Sequence, residues 1–189
     1  MIDPKTTAVL AMDIQNGIIE MVKGGADRVL EPAAEVIKAV RSKGLRMIHV
    51  GIGFRQGYPE VSPNHPTFSM LPQTNRFVTN SDSAKFHEKV APKENEITIV
   101  KHRVSAFSGN DLEMILRSQS ISNLVLFGIS TSGIVLSTLR QASDLDFRCT
   151  VIHDCCFDAD EEVHRVLTQK VFARQATVVS SDEFIKSLS

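Results

Sequence analysis

At 189 residues, with 42% hydrophobic and 23% charged residues, the chain is long enough for one α/β domain with a full core and little more. A net charge of −1, scattered basic residues, a single tyrosine and no tryptophan give no footprint for nucleic acid or an acidic membrane surface. No apolar run approaches the roughly 20 residues of a membrane span. No secretory leader is visible in MIDPKTT, and three cysteines, two of them adjacent, argue against a disulfide framework, so a cytoplasmic setting is expected.

Ala8 to Met12 reads as a buried strand that ends in Asp13. Glu31 to Lys43 has the helical period, with Val29, Ala33, Val36, Ile37 and Val40 on one face and Gly44 as the stop. Leu45 to Val50 is a second strand. Ile52 to about Asp82 is a connection with four prolines, too long for a compact domain unless it covers a pocket or an interface. Its apolar residues Phe54, Tyr58, Val61, Phe68, Met70, Leu71, Phe77 and Val78 exceed what one α/β core obviously buries, which predicts a homodimer or larger homo-oligomer.

A short helix is expected over Ser83 to Val90, then a third strand from Ile97 to Val100 that ends at Lys101. Leu112 to Arg117 is helical with Asn110 as its cap. Asn123 to Phe127 is the fourth strand, Cys149 to His153 the fifth and Thr177 to Val179 the sixth. Between them lie a helix running to about Leu145 and another over Asp160 to Phe172, with Val163, Val166, Leu167 and Val171 on its apolar face. Ser180 and Glu183 form a capping box before a last helix, Phe184 to Leu188. The alternation of strands and helices predicts one domain over residues 1–189. Its fold would be a three-layer α-β-α sandwich around a doubly wound, six-stranded, mainly parallel sheet.

The most informative stretch is Leu124 to Ala142, LVLFGISTSGIVLSTLRQA. An apolar strand breaks at Gly128, crosses small residues and becomes helical, with Val135, Leu136, Leu139 and Ala142 at the helical period. Such a turn lies at the carboxyl end of a parallel sheet, where doubly wound folds bind ligands. Its helix start offers unpaired N–H groups to an anion or a developing oxyanion. Alone, the pattern equally fits an ordinary strand–helix turn.

The run from Gly128 to Val135, followed by Thr138, Leu139, Arg140 and Ala142, resembles the nucleophile turn of the isochorismatase-like hydrolases, also called cysteine hydrolases. Asp13 in AVLAMDIQN and Lys101 in ITIVKHRVSAFSGNDLE fall in that family's order. The resemblance implies that Asp13 is the proton-transfer group, that Lys101 supports it electrostatically as an ion pair at a neighbouring strand end, and that the Ile129–Ser130 peptide is cis. Ile134 falls where the family carries its cysteine. It offers only a backbone N–H, which with that of Ser130 would form an oxyanion cradle. Relatives acting on isochorismate also lack the cysteine, usually replacing it by glycine, and work by proton transfer from the aspartate.

Cys155 and Cys156 follow the fifth strand at the same end of the sheet, either as a second source of a thiol or as small core residues. No metal or cofactor is expected: Gly51, Ile52, Gly53 and Phe54 stand where nicotinamidase relatives hold metal ligands, His65 alone makes no site, and His49 reads as a core histidine. The substrate-binding candidates are Phe54, Arg55 and Tyr58 after the second strand, Arg103 and Phe107 after Lys101, and Ser132 in the turn. The arginines suit a carboxylate, and the phenylalanines suit pocket walls or anchors to the core. The expected activity is hydrolysis of a small, possibly carboxylate-bearing molecule by Asp13 and Lys101. The alternative is a non-catalytic relative that binds small molecules or serves as a scaffold.

Overall fold

The computed structural model describes residues 2–22, 25 and 27–188. Strands β1 (Thr7–Met12), β2 (Arg46–Ile52), β3 (Ile97–Lys101), β4 (Asn123–Gly128), β5 (Arg148–Ile152) and β6 (Ala176–Val179) form one sheet in the order β3-β2-β1-β4-β5-β6. Every pairing in it is parallel. Helices cover both faces, the doubly wound arrangement expected when strands buried on two sides alternate with amphipathic helices. The order reverses between β1 and β4, the switch point where such sheets open a crevice at their carboxyl ends.

Helix α2 (Asp27–Ser42) buries Val29, Leu30, Ala33, Val36, Ile37 and Val40, the predicted face with Leu30 added. It starts four residues before the predicted Glu31 and carries Pro32 inside it. A short helix, α1 (Asn16–Met21), had no clear sequence signal at six residues. Two single 3-10 turns, Asp82–Ala84 and Glu88–Val90, replace the helix expected over Ser83 to Val90. Between them the backbone is tied to the segment after β1, where Asn16 N–H donates to Lys85 O and His87 N–H to Ile14 O. Asn110 caps indirectly: its Oδ1 accepts the Leu112 N–H at 2.9 Å, but Asp111 occupies the cap position of α4 (Leu112–Ser118).

The connection after β2 carries one short helix, α3 (Leu71–Thr74), and closes on itself. Phe54, Tyr58, Phe68 and Phe77 are buried with Ile52 in a satellite cluster, with Val61, Leu71 and Val78 packed half-buried against it. Met70, at 56% exposed, is what remains of the apolar surface from which an oligomer was argued. In the segment α6 (Glu161–Val166) and the π-turn Leu167–Val171, the predicted apolar face is only half-buried, with Thr168 and the following Phe172 reaching the interior. Helix α5 (Leu136–Asp144) and α7 (Ser181–Ser187) complete the layers, and the predicted capping box at Ser180 and Glu183 is present.

Candidate active site

The sheet register brings three strand ends to one level. Met12 pairs with Val50 on one side and Gly128 on the other, and Ile52 pairs with Lys101. Asp13 therefore leaves the sheet beside the turn that follows β4. That turn crosses close over β1, since a Cβ on Gly128 (φ 150°) would sit 2.0 Å from Met12 O. No side chain fits there. The Ile129–Ser130 peptide is cis, as the resemblance implied.

Lys101 is not on a strand adjacent to β1, as the sequence reading assumed, because β2 lies between. Its side chain spans the gap. Nζ lies 2.8 Å from Asp13 Oδ2 and donates to Arg103 O at 3.0 Å. Both side chains are almost fully buried, Lys101 at 1% exposed. Burial pushes the Asp13 carboxyl above its ordinary value, outweighing the pull of the Lys101 cation in the other direction. Asp13 Oδ1 is buried and has no hydrogen-bond partner.

A cavity of about 300 Å³ opens on this carboxyl. Its floor is made by Asp13, Lys101, Ile52 and the turn residues Ile129, Ser130, Gly133 and Ile134. Ile18, Met21 and Val22 of α1 and its end, Thr67, Phe68, Leu71 and Phe77 of the connection, and Val104 line the rest. Ile134 is part of the wall, 2% exposed, and does not fill the cavity. The four candidates for the chemistry, Asp13, Lys101, Ser130 and Ile134, thus share one cavity.

The candidates for substrate contact do not line it. Phe54 is wholly inside the satellite cluster, where Phe68 and Tyr58 surround its ring. Tyr58 donates its hydroxyl to Arg76 O at 2.7 Å. Arg55 is 73% exposed and paired with Glu60, and Arg103 donates to Glu60 O and His102 O. Phe107 turns into the main core and stacks on Phe147. Ser132 is exposed on the far side of its turn, and its N–H donates to Asp158 Oδ2 at 2.7 Å. The apolar residues that do line the cavity, among them Ile18, Phe68, Leu71 and Phe77, come from segments without a clear strand or helix period. Only the length of the connection signalled a pocket cover.

Gln15 was also missed, though it stands two residues after Asp13. Its amide donates to Ile52 O at 2.9 Å and Ala84 O at 2.7 Å while accepting the Ile52 N–H at 2.8 Å, so it seals the end of β2 beneath the cavity. Behind the turn, Thr131 Oγ1 lies 2.9 Å from His164 Nδ1, a contact that fixes the turn from the α6 side. Cys155 and Cys156 are buried away from the cavity wall, and burial raises both thiols, Cys156 to about 12. Neither supplies a thiolate. His65 stacks on Phe68, and the wholly buried His49 is held by Glu96 at 3.0 Å.

The model of the isochorismatase domain matches residues 7–183. An uncharacterized isochorismatase family protein of Escherichia coli O157:H7 is 31% identical over 99% of this chain and 98% of its own. A ureidoacrylate amidohydrolase of Caulobacter segnis is 30% identical over 85% of this chain and 76% of its own. Among solved structures, a cysteine hydrolase from Pseudomonas syringae pv. phaseolicola 1448A superposes with a TM-score of 0.91 over 99% of this chain and 94% of that one, at 17% identity.

Proposed function

The chain belongs to the isochorismatase family of hydrolases, and we propose that it hydrolyses a small molecule through Asp13 and Lys101, without a covalent intermediate. One observation carries this reading: Asp13 lines the cavity with one carboxyl oxygen held 2.8 Å from Lys101 Nζ and the other buried without a hydrogen-bond partner. In this reading Ile134 occupies the position of the family's cysteine. Having no lone pair, it leaves attack to water. Asp13 takes a proton from that water as its oxygen bonds to the substrate carbon, then returns the proton to the departing group. Lys101 keeps the carboxylate positioned and offsets its charge. The amidohydrolase among the relatives supports an amide as the bond cleaved.

The test is turnover of a panel of small amides, esters and enol ethers by wild type and Asp13→Asn. The substitution keeps the size of the side chain but removes the base, and a loss of about 10²–10⁴-fold is expected. Because burial raises the Asp13 carboxyl, the rate should climb with pH through a value above the usual carboxylate range. An Asp13→Asn enzyme as fast as wild type would sink the assignment. A wild type inert toward the whole panel would favour a binding or scaffold role.

A further inference from the structure

We infer that His164, which does not line the cavity, is a positioning residue for the turn after β4. In its neutral form its Nδ1 accepts the hydroxyl of Thr131 and clamps the turn, and protonation releases the clamp. The effect on turnover rests on the reading that this turn belongs to the reactive site; the clamp itself does not. Thr131 stands between Ser130 and the pair Gly133 and Ile134, all three of which line the cavity floor. It is 0% exposed, and a buried hydroxyl has to give its proton to an acceptor. Among the described residues the one partner of Thr131 Oγ1 is His164 Nδ1, at 2.9 Å. A hydrogen on Nδ1 would donate to Oγ1 and leave the hydroxyl hydrogen buried without an acceptor, which costs free energy. The bond therefore runs from Thr131 to Nδ1, and the neutral imidazole carries its proton on Nε2.

Two other ties on the turn come from the same stretch of chain. Thr131 N–H donates to Phe157 O at 2.8 Å, and Ser132 N–H to Asp158 Oδ2 at 2.7 Å. The imidazole makes the third tie sensitive to pH near neutrality. The titratable and charged groups facing His164 are His153 and Asp154 after β5, Asp158 and Glu161 ahead of and at the start of α6, Arg165 on α6, and Arg28 from α2. Asp154 is held by Ser181, Asp158 by the Ser132 N–H, Glu161 by Arg28 and Arg165 by Glu162, so none of these competes for Nδ1. Burial, and after it His153, holds the imidazole below its ordinary value, while Asp158 pulls the other way. The sign follows from that direction. The clamp is complete above the ordinary histidine value of about 6.5 and is lost as pH falls through the lower value of the folded protein.

Long-range proton–nitrogen NMR of the wild-type imidazoles tests the clamp directly. At about pH 8 the His164 ring should show a bare Nδ1 and a protonated Nε2. Thr131→Val keeps the shape and removes the hydroxyl that favours the neutral ring, so the His164 midpoint should rise by about half a pH unit or more. His164→Asn brings a side-chain oxygen that can accept from Thr131 and does not titrate. Between about pH 8 and about pH 5, protection of the Thr131 and Ser132 amides, corrected for intrinsic exchange, should fall at least about tenfold in wild type and stay level in His164→Asn. Where a substrate is turned over, the matching acid limb of the rate should vanish in His164→Asn. A protonated Nδ1 in neutral His164 would overturn the inference, and being read on wild type it decides even if a variant fails to fold. So would a midpoint that Thr131→Val leaves in place, or an equal loss of protection in His164→Asn. Failure of the hydrolase reading shows separately, as a clamp that behaves as stated in a protein that turns over nothing in the panel.

Discussion

The floor and the roof of the cavity are built by different physics. The floor consists of strand ends locked by the parallel ladder, where a one-residue slip would turn every side chain to the other face. Its chemistry is polar: one buried ion pair and one unpartnered carboxylate oxygen. The roof consists of α1 and the connection after β2, held by a cluster of five buried residues of which only Ile52 belongs to a strand. Its chemistry is apolar, and its polar ties, such as Arg76 to Glu20, are partly solvated. On the proposed reading, reactivity depends on the register of the sheet and selectivity on packing outside it.

The largest separation between the two should come from removing one cation in each. Lys101→Met leaves Asp13 buried without its partner and should cost about 3–5 kcal/mol in urea unfolding at neutral pH. Arg76→Met breaks a pair whose side chains are 32% and 62% exposed, together with a hydrogen bond to Gly17 O, and should cost about 1–2 kcal/mol. The loss at Lys101 depends on pH. Burial already raises Asp13 in the folded state, and losing the cation raises it further. A raised folded value stabilises below the unfolded value of about 3.9 and loses that stability as pH rises through the folded value. The variant should therefore recover as the pH is lowered toward about 4. Equal costs at Lys101 and Arg76 would erase the distinction.

Next in size is Phe54→Ala, which empties the centre of the satellite cluster and should cost about 3–5 kcal/mol locally. If the roof opens independently of the sheet, amide exchange should accelerate about a hundredfold or more over residues 54–79 and stay unchanged in β1 and β4. Matching acceleration in β1 would mean that both regions unfold as one. Gln15→Leu cuts the tie between them and leaves the Ile52 N–H without its acceptor, at a cost of about 1–3 kcal/mol. Its effect should appear in both regions.

The same division explains what the sequence disclosed. The face of α2 was legible because one-sided burial imposes a period, the strands because burial on both faces leaves short apolar runs, and Asp13 and Lys101 because a charge closing an apolar strand stands out. The roof has no period. Phe54, open between pocket wall and anchor to the core, is an anchor and packs inward with the substrate candidate Tyr58, while Phe68 and Phe77, counted only among the apolar residues of an interface, line the cavity. Whether an aromatic in an irregular segment points in or out depends on contacts distant in sequence. Lys101 was matched to the right partner across the wrong number of strands, since chain order does not reveal that β2 lies between β3 and β1.

The smallest structural change, Ile134→Cys, probes the floor most directly. It removes part of a buried side chain, so it should cost only roughly 1 kcal/mol. The new thiol would share the cavity floor with Lys101 and Asp13, next to the start of a helical turn. A cation and a helix start favour a thiolate, while burial opposes it. The protein carries its own reference for burial alone: Cys149 is raised to about 11. Iodoacetamide near pH 7 should consequently alkylate wild type slowly and the variant faster. Adding Lys101→Ala should slow the variant again, by removing the cation while keeping the cavity. If the new thiol reacts no faster than the buried cysteines, the field of Lys101 is cancelled at position 134 by Asp13. The floor would then act on a substrate through the Asp13 carboxyl alone.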